Sequence, residues 1–314
     1  MADRVDRETV RWAYRLYLDR EPESEDVVQQ FLSACATTRD LRKALMSSAE
    51  FRGSNPETLF FAPVSAKVIT EIAPGVRLFV DLSDTAIGAN VVFGAYERPE
   101  TQWIEAHVSA GDTVVDIGAN IGYFTMLMAL AVGPSGRVHA FEPVSENADL
   151  LERSVVENRY DDRVVTHRMA LGRVTGQAAL ATLTLEAGSQ NSGGSFLAES
   201  AAVPSGHETR TVSVSRLDDL VFGDRVRLVK IDVEGAEPLV FEGAKRLLKR
   251  DAPWILSEIN AVQLRRVSGV TPRELIHLMK SLGYDCIGLQ GGQAIEDHPS
   301  ETVCSVVFRP SGQA

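Results

Sequence analysis

Residues 114–124 read VVDIGANIGYF, and this stretch decides the fold. It continues a largely apolar run, 113–117, that predicts a buried strand, and residues 123–132 predict a helix. Two glycines therefore lie in the turn between a strand and a helix. In open α/β sheets, ligands bind at such carboxyl ends of strands, where glycine allows close approach of the backbone. The stretch predicts the ligand-binding turn of a doubly wound α/β fold.

The spacing within this turn distinguishes between nucleotide cofactors. Gly118 and Gly122 are separated by three residues, whereas a pyrophosphate-binding turn has the pattern Gly-x-Gly-x-x-Gly. Asp116 stands directly before the turn, and its carboxylate would repel a pyrophosphate. It would instead attract a ligand that carries an ammonium and a sulfonium group, which describes S-adenosylmethionine.

A second acid lies where the next strand is expected to end. Glu142 follows the predicted strand 137–141 and precedes Pro143. A carboxylate at this place can accept hydrogen bonds from both ribose hydroxyls of an adenosine, whether in S-adenosylmethionine or in NAD. A helix-capping role beside Pro143 is the structural alternative. Glu142 therefore indicates an adenosine ligand without choosing the cofactor.

The segments around this motif alternate between strand and helix patterns, which is typical of a parallel sheet with helices on both faces. A less regular stretch, about 176–215, contains a Gly/Ser/Asn-rich loop and is predicted to be a substrate-facing insertion. The last two strands are expected to form an antiparallel hairpin at the sheet edge. The predicted strands are 64–72, 76–82, 113–117, 137–141, 164–171, 178–185, 211–214, 227–233, 254–259, 284–289 and 302–308, and the predicted helices after the N-terminal region are 99–109, 123–132, 146–158, 236–249 and 272–282.

The N-terminal region has the pattern of a small all-α domain. Apolar side chains at helical spacing between residues 8 and 52 predict three short helices, and Glu21-Pro22 separates the first two. The predicted organisation is a helical accessory domain, 1–53, a linker with lead-in strands and a helix, 54–110, and the main α/β domain, 111–314.

Two motifs of this domain, Leu16–Pro22 and Ser48–Phe51, resemble a small helical module found beside bacterial glycan-modifying enzymes. A docking or dimerisation role, which would make the protein a homo-oligomer, and a passive packing role are both open.

Three charged residues alternate at the end of the predicted strand 227–233. Lys230, Asp232 and Glu234 project toward the same side of an extended chain, whereas a buried parallel strand is normally apolar. Burying a charge costs several kcal/mol unless it is paired. Lys230 is therefore expected to neutralise one carboxylate and to leave the other available for chemistry.

Four motifs in this order, Asp116–Phe124, Phe141–Pro143, Lys230–Glu237 and Ser257–Ile259, resemble those of the FkbM family of methyltransferases. The resemblance covers roughly residues 75–308. It implies a class I, Rossmann-like fold with a mostly parallel seven-stranded sheet. It also implies methyl transfer from S-adenosylmethionine to a hydroxyl of a sugar, glycan or secondary metabolite. The cofactor-binding residues that it implies are Asp116, Gly118, Ala119, Asn120, Gly122, Tyr123, Glu142, Ala170 and Asp232.

A protonated alcohol is a poor nucleophile, so the acceptor hydroxyl needs a base or a metal ion. Asp232 is the first candidate for the base, with Glu234 beside it, and His207 in the insertion is a further candidate. Alternatively, carboxylates could bind Mg²⁺, which would acidify the hydroxyl. A purely structural network anchored by Lys230 is a third possibility. The candidate metal ligands are Asp232, Glu237 and Glu258.

The composition of the chain indicates which binding partners and which cellular compartment are expected. The formal net charge of −11 disfavours nucleic acids and anionic membranes and fits a neutral or cationic partner, and solubility alone is the alternative explanation of this charge. The small-molecule or glycan acceptor is what the family resemblance implies. Three widely separated cysteines suit a reducing compartment, and no signal-peptide or transmembrane pattern occurs, so a cytoplasmic location is expected. A nicotinamide-dependent oxidoreductase and a non-catalytic binding protein on the same fold are the alternative functions.

Overall fold

The computed structural model describes residues 5–35, 37–46, 48, 50–51, 67–84, 87–92, 94, 96–183, 195–197, 207–296 and 303–312. The chain divides into two compact units, Met1–Ala62 and Pro63–Ala314. Within the described residues, no helix combines the length and the apolar character that crossing a membrane requires.

The first unit contains the three predicted helices. Asp6 and Ser24 cap the first two, because their side chains accept hydrogen bonds from backbone N–H groups in the first turn. One face of each helix supplies a shared core, with Val10, Val28 and Leu41 almost fully buried. The helices are α1 (Arg7–Leu18), α2 (Glu25–Ala34) and α3 (Thr38–Met46).

The described part of the second unit starts with a hairpin and then alternates strands and helices. Its strands are β1 (Lys67–Ala73), β2 (Val76–Asp81), β3 (Thr113–Ile117), β4 (Arg137–Phe141), β5 (Val164–His167), β6 (Ala170–Leu171), β7 (Gly176–Leu183), β8 (Phe196–Leu197), β9 (His207–Ser215), β10 (Val226–Ile231), β11 (Trp254–Asn260), β12 (Tyr284–Gly288) and β13 (Val303–Pro310). Its helices are α4 (Gly88–Val92), α5 (Arg98–His107), α6 (Tyr123–Val132), α7 (Ser145–Glu157), α8 (Glu237–Glu242), α9 (Lys245–Asp251), α10 (Ala261–Val267) and α11 (Pro272–Ser281).

Seven strands form the main sheet in the order β12-β13-β11-β10-β3-β4-β5. The pairs β11–β10, β10–β3, β3–β4 and β4–β5 are parallel, and β13 is antiparallel to both of its neighbours. This arrangement confirms the predicted doubly wound, mostly parallel class I fold. The connection direction reverses at β3, because β4 follows on one side and β10 returns on the other, so the carboxyl end of β3 is the topological switch point.

The predicted insertion forms a second, four-stranded sheet in the order β6-β9-β7-β8. Two predicted elements are interrupted. The predicted strand 164–171 is split into β5 and β6, which belong to different sheets. The predicted helix 236–249 is split into α8 and α9 at Gly243, where a Cβ would lie 2.1 Å from the carbonyl oxygen of Gly172. Glycine at this position allows the close approach of the two backbones.

Hydrophobic cores cover both faces of the main sheet. Because side chains alternate along β3, Val114 belongs to one core, whereas Val115 and Ile117 belong to the other. All five residues of β3 are buried. Asp116 therefore points to the face that carries Val114, beneath the first turns of α6.

Candidate active site

A cavity of about 300 Å³ lies at the carboxyl ends of β3, β4 and β10. Its lining comes from several parts of the chain: Ile87, the segment before α5, the turn after β3, the ends of β4 and β10, and residues in or near β6, β7, β8 and β11. Open α/β sheets bind ligands at this position. Its acidic lining residues are Glu97, Glu142, Asp232, Glu234 and Glu258, and Lys230 is the one basic lining residue among those that the structure describes.

The turn after β3 forms one wall of the cavity. Gly118 has φ +77°, and a Cβ there would lie 2.0 Å from the carbonyl oxygen of Asp232. The backbone N–H groups of Gly118 and Ala119 both donate to the carbonyl of Phe141 at 3.0 Å. A side chain at Gly118 would push β3 and β10 apart at their tips. The first predicted glycine is therefore needed for contact between neighbouring strands.

Of the remaining predicted residues of this motif, three line the cavity and one supports the turn that forms its wall. Ala119, Asn120 and Tyr123 line the cavity with Gly118. Gly122 does not line it. Gly122 is the N-cap of α6, with φ +93°, and packs against Leu151 of α7. It supports the turn from behind.

Glu142 lines the cavity just beyond β4 and is 4% exposed. Its Oε2 accepts a hydrogen bond from the N–H of Asn120 at 2.8 Å, and its Oε1 accepts one from Val144 at 2.8 Å. Burial raises the pKa of Glu142 to about 7, although these backbone hydrogen bonds lower it. The carboxylate is held in one orientation, with further lone pairs available to a ligand.

Asp116 occupies a different position from the one expected of a ligand-binding acid. Its side chain is fully buried and is not among the residues that line the cavity. Oδ2 accepts a hydrogen bond from Oγ1 of Thr125 at 2.6 Å, whereas Oδ1 has no hydrogen-bond partner within the described residues. Burial raises the pKa of Asp116, and the field of Lys230 lowers it. Asp116 thus acts on the cavity through Lys230, which lies opposite it in the β10–β3 pairing.

Lys230, Asp232 and Glu234 all line the cavity, as their alternation indicated. Lys230 is 6% exposed, and its Nζ lies 3.3 Å from Oδ2 of Asp232 and 4.8 Å from the ring centre of Phe124. The nearby carboxylates, first Asp232, raise the pKa of Lys230 against the opposing effect of burial. The predicted pairing of this lysine with one carboxylate is present.

The other acids at this end of the cavity favour their protonated forms. Burial, and then the charge of Asp232, raises the pKa of Glu234 to about 9 and that of Glu258 to about 8. The charge of Glu237 also raises the pKa of both side chains. Ligands with positive charge would favour the ionised forms of these side chains.

Three residues that line the cavity have left-handed backbone conformations although none is glycine. Glu97, Asn120 and Glu234 have φ of 35°, 51° and 54°. Such conformations cost about 1–2 kcal/mol for residues such as glutamate, whereas asparagine adopts them more readily. Three other residues in the described part of the chain share this conformation and do not line the cavity: Asp19, Arg159 and Ala252.

The predicted magnesium site is not formed. Within the described residues, no three His, Cys, Asp or Glu side chains are placed to hold a metal ion. Asp232 and Glu258 line the cavity, but Glu237 is 2% exposed and its Oε1 accepts hydrogen bonds from the N–H groups of Val233 and Gly235. Glu237 therefore stabilises the turn after β10, and this use of its carboxylate is the reason that the predicted ligand set fails.

The insertion supplies an apolar wall and not the predicted histidine. Leu180, Phe196 and Leu197 line the cavity, whereas His207 does not. The ring of His207 packs edge-on against Phe196 at 5.5 Å, and its Nδ1 is buried without a hydrogen-bond partner among the described residues. His207 therefore supports the wall and is not among the lining residues.

Residues near β6 also line the cavity. Ala170 lines the cavity together with Met169 and Leu171.

Glu97 and Tyr96 also line the cavity, although no role was predicted for Glu97 from the sequence. The signal that marks Glu97 is weak: it is an acid directly before the Arg98-Pro99 start of a helix.

Comparison with protein families gives a match over the centre of the chain. The family described as the methyltransferase FkbM domain matches residues 116–286. This range includes the turn after β3, Glu142, and the residues at the end of β10.

Two curated methyltransferases are similar to more than half of the chain. The 31-O-demethyl-FK506 methyltransferase FkbM of Streptomyces tacrolimicus is 30% identical over 210 residues, which are 57% of this chain and 75% of that protein. The methyltransferase sdnD of Sordaria araneosa is 27% identical over 208 residues, 57% of this chain and 76% of that protein. A crystal structure of a methyltransferase FkbM from Methylobacillus flagellatus KT is 17% identical, covers 70% of this chain and 52% of that chain, and has a TM-score of 0.40. With its central match over residues 116–286, the chain belongs to the FkbM methyltransferase family.

Proposed function

We propose that this protein transfers a methyl group from S-adenosylmethionine to a hydroxyl of a sugar, glycan or secondary metabolite. The observation that carries the proposal is the composition of the cavity. Five carboxyl side chains and one ammonium line a cleft at the switch point of the sheet. A cationic nucleoside suits such a cleft, because its charge favours the ionised forms of these carboxyl groups, whereas the pyrophosphate of NAD would meet only one ammonium among the described lining residues. Family membership likewise removes the support for a nicotinamide-dependent oxidoreductase.

The residues present fit S-adenosylmethionine along the length of the cavity. Glu142 has its carboxylate fixed by two backbone N–H groups and would bind the ribose hydroxyls. The segment Met169–Leu171 would contact the adenine on the β5 side. The turn Gly118–Asn120 would contact the middle of the ligand. The amino-acid end would then lie beside β10.

S-adenosylmethionine supplies an electrophilic methyl group on a positively charged sulfur. The chain must then position an acceptor hydroxyl and accept its proton. Asp232 lies at the end of β10, in the cavity, and is held by Lys230 at 3.3 Å. We assign it the role of hydrogen-bond acceptor for that hydroxyl. Glu234 and Glu258, whose pKa values are raised, would donate hydrogen bonds to the acceptor in their protonated forms.

The oxygen acceptor is supported by a relative and by the apolar wall. The name of the Streptomyces relative, 31-O-demethyl-FK506 methyltransferase, specifies a demethylated oxygen of its substrate. In this chain Leu180, Phe196 and Leu197 give the cavity one apolar side opposite its acids. Such a mixed surface suits a ligand with both hydroxyls and apolar faces, as sugars and polyketides have.

The experiment that tests this function is transfer of a radiolabelled methyl group. The purified protein would be incubated with labelled S-adenosylmethionine and a fractionated extract of the producing cell, and labelled products would be identified by mass spectrometry. The Asp232→Ala variant is the matched control. The proposal requires label in an alkali-stable methyl ether that forms with the wild type and not with the control. Label on nitrogen or carbon, or no transfer to any fraction, would refute it.

A further inference from the structure

Glu97 lies in the cavity but comes from a part of the chain that precedes the family match, residues 116–286. It is the residue before α5, and its φ of 35° and ψ of 52° are left-handed. Its side chain caps no backbone N–H of that helix. The strained conformation therefore gives the helix no cap. It directs the carboxyl group toward the end of β10 instead.

Aromatic packing fixes this segment against the turn that follows β3. The ring of Tyr96 packs edge-on against Tyr123 at 5.0 Å and lies 6.3 Å from Phe124, and both partners are in the first turn of α6. The hydroxyl of Tyr96 donates a hydrogen bond to Glu97. Thr101 of α5 also contacts Tyr123, with 3.2 Å between their oxygens. Glu97 is thus positioned by the same helix that positions the glycine turn.

Charges around Glu97 do not balance. Lys230 interacts with three carboxylates, those of Asp232, Glu97 and Asp116. One of these, Asp116, has a buried Oδ1 without a hydrogen-bond partner in the described part of the chain. Burial raises the pKa of Glu97 to about 7 and also raises that of Asp116, so one ammonium does not suffice to hold all three acids in their ionised forms. A cationic ligand group would supply further positive charge.

The direction in which the cofactor extends through the cavity indicates which of its groups is this cation. Glu142 stands beyond β4, on one side of β3, whereas Lys230 stands on β10, on the other side. A nucleoside whose ribose is bound by Glu142 therefore extends its 5′ substituent toward Lys230 and Glu97. In S-adenosylmethionine that substituent ends in an ammonium and a carboxylate. Glu97 and Lys230 offer the complementary pair of charges.

We propose that Glu97 binds the α-ammonium group of S-adenosylmethionine and so selects a nucleoside with an intact amino-acid end. The inference rests on the proposed function, because it assumes that Glu142 binds the ribose. It makes Glu97 a cofactor-binding residue and leaves Asp232 to the acceptor hydroxyl.

The test compares the affinities of two protein variants for two cofactor analogues, and it needs no methyl acceptor. Calorimetry would measure S-adenosylhomocysteine and its deamino analogue, which retains the carboxylate, against the wild type and Glu97→Gln. We expect the wild type to prefer S-adenosylhomocysteine by at least about tenfold, as a charge-assisted hydrogen bond predicts, and Glu97→Gln to lose most of that preference. The control is Glu105→Gln, at an exposed acid of α5, and it should keep the wild-type preference.

The outcomes separate the two claims. A wild-type preference that persists in Glu97→Gln overturns the role of Glu97 and leaves the proposed function standing. A wild type that binds neither compound overturns the proposed function together with this inference. If Glu97→Gln does not fold, Glu97→Asp takes its place in the comparison, and its shorter carboxylate should reduce the preference; an unchanged preference there also overturns the proposal.

Discussion

The backbone N–H of Asn120 donates to Oε2 of Glu142 across 2.8 Å and so joins the turn after β3 to the end of β4. Oε1 of Glu142 accepts from Val144 at the same distance. The two predicted motifs are therefore one physical unit, in which the glycine turn orients the acid. A ligand bound by Glu142 is placed relative to Gly118 by this contact.

The first prediction concerns this unit. Glu142→Gln replaces one carboxylate oxygen with an amide –NH₂, which would face either the Asn120 or the Val144 N–H. Because two donors then oppose each other in a buried place, we expect affinity for S-adenosylhomocysteine to fall about 10–100-fold by calorimetry. Glu146→Gln, at an exposed acid of α7, should bind as the wild type does. Equal affinities for both variants would remove Glu142 from the cofactor site.

The second prediction uses two glycines with the same φ. Gly118 and Gly75 both have φ +77°, but a Cβ at Gly75 would meet nothing within 4 Å. Gly75→Ala should therefore cost about 1 kcal/mol for its backbone conformation alone. Gly118→Ala must also displace the carbonyl of Asp232, so we expect a larger loss in the free energy of unfolding and loss of cofactor binding. Urea denaturation measures the first effect and calorimetry the second. Similar losses for both variants would contradict the close approach.

Local sequence patterns were sufficient for the elements that carry the site. Thr113–Ile117 and Tyr123–Val132 were predicted with the bounds that the structure has, because strand and helix periods change at the two glycines. The alternation at Lys230 likewise indicated a charged patch. These features depend on neighbours in the chain, which a single sequence displays.

Features that depend on distant parts of the chain were missed or misplaced. Asp116 was expected to face the ligand, but its place opposite Lys230 is set by the register of β10 on β3. Glu97 reaches the cavity because Tyr96 packs on Tyr123, and no local pattern encodes that contact. Glu237 was assigned to a metal, whereas the tight turn after β10 brings two N–H groups to its carboxylate.

The third prediction concerns the loss of the buried ammonium group of Lys230. Lys230→Met leaves Asp116 and Asp232 without their common partner, and breaking a buried ion pair from one side costs about 3–5 kcal/mol. Urea denaturation should show a loss of this size, and Asp116→Asn in the same chain should restore part of it. Lys249→Met, at an exposed site, is the control. A loss below about 1 kcal/mol, typical of surface pairs, would show that Lys230 is not the centre of this network.

The fourth prediction concerns pH. The folded-state pKa values of Glu258 and Glu234, about 8 and about 9, exceed the ordinary value of 4.5. The folded protein therefore holds protons that the unfolded chain has already released, and the free energy of unfolding should fall as pH rises from 7 to 9. Glu234→Gln should flatten this profile in urea denaturation, whereas Glu242→Gln, an exposed acid, should not. A wild-type profile that is flat or rises over this range would contradict the raised values.

The last prediction separates the acceptor end of the cavity from the cofactor end. Asp232→Asn keeps the shape of the side chain and a hydrogen-bonding oxygen for Lys230 but removes the basic carboxylate. If Asp232 accepts the proton of the acceptor hydroxyl, kcat should fall about 10²–10⁴-fold. Affinity for S-adenosylhomocysteine should change by less than about threefold, because no full charge-assisted hydrogen bond to the cofactor is lost. Labelled methyl transfer to the identified acceptor measures the first quantity and calorimetry the second, with Asp224→Asn, an exposed acid before β10, as the control. A variant that loses affinity and turnover in equal measure would instead make Asp232 a cofactor ligand, and the proton would then have to leave by another of the cavity carboxylates.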